Sequence, residues 1–128
     1  MINRNVKKIL ILCVSVLSFS INAQNPVDKD FLVKQCYELS ENVISLTFSQ
    51  GKKACVDKLG LASAQIENAG DLIINDEQFA AKQELDNAVY TLQYAELSNC
   101  NRYIEISHSK FEAQKIKSYL GTIDNIIS

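Results

Sequence analysis

This chain has no tryptophan, a single proline (Pro26), a single histidine (His108) and only four glycines in 128 residues. Each shortage excludes something. A fold of many short strands needs turn residues every ~10 positions, and Gly51, Gly60, Gly70 and Gly121 are too few to punctuate one. One histidine and scattered cysteines match no usual zinc spacing. There is no CxxCH for covalent haem, no glycine-rich phosphate loop and no GxSxG nucleophile elbow. No cofactor or metal is expected. The longest apolar run, Ile9 to Ile21, has thirteen residues, short of the ~20 that span a bilayer as a helix.

That run nevertheless has a reading. Arg4, Lys7 and Lys8 precede it, and Ala23 supplies a small residue just after its end. Basic, apolar, small is the order of a secretory signal peptide. Residues 1–23 are therefore expected to be cleaved near Ala23. A single helical domain, 24–128, is left in the periplasm or outside the cell, with no membrane span after processing. The three removed cations leave ten Lys/Arg against fifteen Asp/Glu, a net charge of −5. Such a chain repels phosphate backbones and anionic lipid surfaces, which argues against nucleic-acid and membrane-surface roles.

The periodicity is helical throughout. Leu32, Cys36, Leu39, Val43 and Leu46 recur at spacings of four and three, which places them on one buried stripe. Asn25 suits the cap of this first helix, Pro26 its first position and Asp28 its first turn, and Gly51 suits its end. A second stripe runs through Cys55, Leu59, Ala62, Ile66, Ala69 and Ile73, with Gly60 and Gly70 as places to kink or break. A third helix is expected after Asn75, with Gln78 closing a capping box and Ile74 stapling onto Phe79. Its stripe is Ala81, Leu85, Ala88, Leu92 and Ala95. It ends either in a turn at "LSNCN" or, the preferred reading, by running on through Tyr103, Ile104 and Ile106 to a break at His108–Ser109. Ser109 and Glu112 would then cap a last helix carrying Ala113, Ile116, Leu120, Ile123 and Ile127. Four amphipathic helices with short connections define an all-α antiparallel four-helix bundle.

The expected domain holds three cysteines, so one stays unpaired. In a hairpin turning near Gly51, Cys36 and Cys55 differ in height by roughly 16 Å, far beyond what a disulfide tolerates. The third helix returns to the end where Cys55 sits, making Cys55–Cys100 the first choice and Cys36–Cys100 the alternative. His108 is two helical turns from Cys100, out of reach as its base. Neither this pair nor any spacing of carboxylates makes a catalytic set, and the chain is read as a non-enzyme. One surface candidate stands out at the connection "GDLIINDE": Leu72, Ile73 and Ile74 ringed by Asp71, Asp76 and Glu77, an apolar tip suited to a protein partner. The same residues also suit a structural role, Ile73 closing the second stripe and Ile74 stapling the third helix.

The stretch "CNRYIEISHSKFEAQKIKSYL", through Cys100, Tyr103, His108, Ser109 and Lys110, resembles the corresponding part of the periplasmic immunity proteins that neutralise type VI secreted amidases. "FLVKQC" at 31–36 is similar to that family's first helix with its cysteine. The resemblance spans about a third of the expected domain, and Cys55 is an addition to its pattern. It implies a small helical dimer that occludes the active site of a peptidoglycan hydrolase toxin. It also implies a Cys36–Cys100 bridge. The competing expectation is a general periplasmic helical binding or chaperone-like protein with no single dedicated partner.

Overall fold

The structure, a computed structural model, describes residues 28–127, with side chains as far as Ile123. The expected signal peptide, Asn25 and Pro26 lie outside the described residues, as does the side chain of Ile127. Four helices follow in order: α1 Lys29–Ser45, α2 Lys53–Ile74, α3 Gln78–Leu97 and α4 Tyr103–Ile127, with a 3-10 turn at Leu46–Ser49. No strand occurs among the described residues. Each helix packs on the next, and α1 closes the ring against α4. Contacts run in opposite directions across each seam. Ser40 meets Ser63 while Lys29 meets Asp76, and Glu96 meets Lys110 while Asp86 meets Lys117. This is the antiparallel four-helix bundle that the periodicity implies.

The four stripes are its core. Leu32, Val43, Leu59, Ile66, Ile73, Leu85, Leu92 and Leu120 are fully buried, together with Ala62, Ala69, Ala81, Ala88, Ala95 and Ala113. The alanines let the helices approach closely where leucine and isoleucine from a neighbour fill the space. Gly70 marks a close approach of α2 to α1. A Cβ there would meet the Tyr37 ring at 2.9 Å and Cys36 Cβ at 3.2 Å. α2 runs unbroken through both Gly60 and Gly70, and only at Gly70 does a close neighbour require the glycine. At Gly70, the roughly 1 kcal/mol that glycine costs a helix is offset by packing against α1. On the same seam Ser40 and Ser63 each donate to the other's backbone carbonyl, at 2.9 and 2.8 Å, so both buried hydroxyls are satisfied.

The helix ends depart from expectation in ways that place the surface described below. Asp28 caps α1 rather than sitting in its first turn, its carboxylate accepting from Phe31 N–H at 2.8 Å. The α1 end is tightened before Gly51 is reached. Ser45, Thr47 and Ser49 each donate a hydroxyl to the carbonyl three residues back, satisfying oxygens that a helix end leaves open. Asn75 does not cap α3. It is the last half-turn of α2, followed by Asp76 at φ 60°, with Glu77 N–H on Leu72 O and Asp76 N–H on Ile73 O. This is a Schellman end, and it uses the backbone that the capping box needed. No side chain caps α3, and Phe79 is 73% exposed rather than stapled.

The third helix likewise stops early, at Leu97, where Asn99 adopts φ 58° and Cys100 N–H reaches Ala95 O. The preferred long helix with a break at His108–Ser109 is therefore corrected. The chain turns at residues 98–102 instead, and α4 passes straight through His108. Ser109 caps nothing. It is buried, and its hydroxyl donates to Glu105 O inside α4.

Candidate interaction surface

Cys55 and Cys100 form a disulfide, with sulfurs 2.04 Å and Cα atoms 5.6 Å apart. The pairing that the family resemblance implies, Cys36–Cys100, is not formed. Cys36 packs into the interior of α1 beside Gly70, while Cys100 lies at the opposite end of α2, next to its first turn. Burial pushes the Cys36 thiol up to about 12, so it stays protonated at neutral pH and packs as a small hydrophobe.

Around the bridge, two loops are locked to each other. The Gln50 amide donates to Asn101 O at 2.8 Å and accepts from Asn101 N–H at 2.8 Å. Asn101 in turn donates to Ser49 O, and Lys52 donates to Ser98 O. Within this clamp Arg102 is held at φ 67°, a conformation uncommon for a residue with its side chain. The strain is maintained by its surroundings, an arrangement that clusters at functional positions.

Arg102 opens a groove of about 520 Å3 along the α1–α4 seam. Its floor is Leu39, Leu46 and Ile116; Ile104 stands at its rim, 79% exposed. Glu38 and Asn42 line the α1 wall, and Glu105, His108 and Glu112 the α4 wall. Arg102 Nε meets Glu105 at 3.0 Å. The Glu105 carboxyl is held below its usual range by its own backbone N–H and by Arg102, against some desolvation. Glu38 and Glu112 are less well matched. Lys34 stands 3.8 Å from Glu38, with His108 at 4.0 Å and Lys115 at 3.9 Å from Glu112, all too long for hydrogen bonds. The groove continues into a recess of about 150 Å3 beside Phe31 and Tyr119.

The residues expected at the partner-binding tip are dispersed by the α2–α3 turn. Ile73 is fully buried and Leu72 packs against the core. Asp71 accepts from the Tyr37 hydroxyl at 2.6 Å, which with burial and nearby carboxylates raises Tyr37 to about 12. Asp76 pairs with Lys29 at 2.7 Å. Ile74 and Glu77 remain exposed. The groove was missed because it depends on how α1 meets α4, yet one signal was present. Ile104 lies off the stripe of Ile106, Ala113, Ile116 and Leu120, on the wrong face for a core residue.

Among the described residues no group of three or more His, Cys, Asp or Glu side chains is placed to hold a metal ion, and no helix is long and apolar enough to cross a membrane. No family model, no curated protein and no solved structure matches this chain.

Proposed function

We propose that this is an exported binding protein that neutralises a cell-wall-degrading toxin by stoichiometric occlusion. The observation that carries the reading is the bundle end around Cys55–Cys100. Four large apolar side chains are exposed there, Phe48 at 89%, Leu97 at 77%, Tyr103 at 57% and Ile104 at 79%. They stand on or beside loops joined by a disulfide and by reciprocal side-chain to backbone hydrogen bonds. Apolar anchors on a backbone already fixed lose little entropy on docking, which is what tight one-to-one inhibition requires. The acidic chain and the signal-like N-terminus fit an exported partner, and the resemblance to amidase immunity proteins supplies the toxin class. In this reading the protein performs no catalysis of its own.

Exposed apolar side chains elsewhere, Phe79 and Tyr90 on α3, favour a second reading, a general periplasmic helical protein that binds unfolded chains weakly. Capture on the oxidised chain from Gln24 onward separates the two. A peptidoglycan hydrolase retained at one-to-one stoichiometry and silenced in its own cell-wall assay supports inhibition. Many proteins held at low stoichiometry would replace that reading with the second.

A further inference from the structure

We propose that the α1–α4 groove takes an apolar side chain of a protein partner whose neighbouring lysine or arginine reaches between Glu38 and Glu112. The inference rests on the reading of the chain as a binding protein and names the surface and the chemistry of the segment it accepts. Three observations lead to it.

The floor is apolar but shallowly covered. Leu39, Leu46 and Ile116 are buried, yet they line a recess of about 520 Å3 that no side chain of the bundle fills. That is room for an aromatic or leucine side chain, and the apolar surface its burial would remove from water is mostly its own and that of Ile104. Ile104, standing at the rim, would close over such a side chain instead of facing solvent.

The charge on the lining residues themselves is unbalanced, and the lysines that offset it, Lys34 and Lys115, stand outside the lining at loose distances. Glu38, Glu105 and Glu112 line the groove against Arg102, and His108 is its remaining titratable group. Arg102 is engaged with Glu105 through Nε at 3.0 Å. Glu38 on the α1 wall and Glu112 on the α4 wall keep only cations at 3.8 to 4.0 Å, outside hydrogen-bonding distance. The Glu112 side chain is 25% exposed, so it has surrendered much of its water without gaining a close partner. A cation brought in beside the apolar anchor would supply charge-assisted hydrogen bonds that the free protein lacks.

The frame is set before binding. The Gln50–Asn101 exchange and the disulfide hold residues 98–102, and these fix where α4 begins and hence the phase of Ile104, His108 and Glu112. An acidic or nucleic-acid segment would meet like charge here, which is why the occupant is assigned as a basic-flanked apolar peptide segment.

The test uses three small probes on the isotope-labelled, oxidised chain from Gln24 onward: acetyl-Arg-Phe-Arg-amide, acetyl-Glu-Phe-Glu-amide and acetyl-Arg-Gly-Arg-amide. Amide shifts are followed during titration at constant salt. The expected result is that acetyl-Arg-Phe-Arg-amide moves the amides of 35–46 and 102–116, and binds about fivefold more tightly than either control, the scale of two partly exposed ion pairs or one partly buried ring. The Glu38→Gln/Glu112→Gln double variant should erase its advantage over acetyl-Glu-Phe-Glu-amide while leaving the thermal unfolding midpoint in place. Equal binding of the three probes, no binding, or shifts centred on Tyr37, Glu41, Glu67 and Asp71 would overturn the proposal. So would groove shifts that track protein concentration without peptide, which would make a second copy the occupant. No hydrolase enters the experiment. Failure to capture a toxin therefore leaves the groove proposal standing, and failure of the peptides leaves the toxin reading to its own assay.

Discussion

The α1–α2 and α4–α1 seams close the same ring, but they are built from different residues. Across the first, Gly70 brings α2 against Cys36 and Tyr37, and Ser40 and Ser63 interlock with every hydroxyl satisfied. Across the second, Glu38 and Asn42 face Glu105, His108 and Glu112 over a groove. Small residues at matching heights let helix axes approach closely, and the recess that remains on this seam, about 390 Å3, is lined by Tyr37, Ser40, Glu41, Glu67 and Asp71 with no aliphatic floor. Long polar side chains hold the axes apart and cover the floor only in part. The first seam is the more tightly interlocked, and the recess with an apolar floor lies on the second.

The sharpest way to break this comparison is to release the clamp that both depend on. The bridge closes a loop with a sequence separation of 45, worth about 4 kcal/mol in the chain-entropy model. Replacing both Cys55 and Cys100 by serine should lower the unfolding free energy by about that much in a denaturant titration. Hydrogen exchange should accelerate first at residues 98–104. Uniform acceleration along all four helices would mean that the bridge is a general staple and does not specifically fix the groove. The next largest effect belongs to the closed part of the ring. Ile66 is fully buried, and Ile66→Ala should cost about 2–5 kcal/mol through lost burial and a residual cavity, measured as a shift in denaturant midpoint at unchanged slope.

The two seams were also unequally legible in the sequence. The core stripes were readable, because a period of 3.6 marks Leu32, Cys36, Leu39 and Val43 without knowledge of their neighbours. Helical rise excludes Cys36–Cys55 and favours Cys55–Cys100, with Cys36–Cys100 left open until the bridge is seen. Helix ends were not readable in this way. Asn75 and Asn99 both suit a cap, a turn or a left-handed position, and the choice was made by backbone hydrogen bonds to Leu72 and Ala95 that depend on tertiary docking. Because the start of α4 was misplaced, its exposed face was misplaced with it. The groove depends on that face, whereas at the α2–α3 connection Ile73 is buried and Leu72 packs against the core.

A smaller, pH-dependent effect tests the α3–α4 seam between these extremes. The Glu96 side chain is only 8% exposed, pairs with Lys110 at 2.7 Å and accepts from the Ser107 hydroxyl. Burial pushes its carboxyl upward, but Lys110 and Ser107 outweigh that and hold it below its usual value. A carboxyl with a depressed folded-state pKa adds stability that is complete above its unfolded value and lost as pH falls through the folded one. Glu96→Gln should therefore be less stable than the parent at neutral pH, with the gap narrowing below about pH 4. A gap constant across that range would show that the ion pair contributes nothing and that the substitution acts through packing.

The smallest change repeats the isoleucine deletion on the open seam. Ile104→Ala removes the same atoms as Ile66→Ala, but from a side chain 79% exposed at the rim of the groove. Little buried surface is lost, and alanine is the better helix former by a few tenths of a kcal/mol. The unfolding free energy should stay within about 0.5 kcal/mol of the parent, while association with any partner that uses the groove weakens. A loss of stability approaching that of Ile66→Ala would show that the rim is packed in solution and that the second seam is as closed as the first. Unchanged stability with unchanged partner affinity would instead move the binding surface away from Ile104, towards Phe48 and Leu97 on the neighbouring face of the same clamped end.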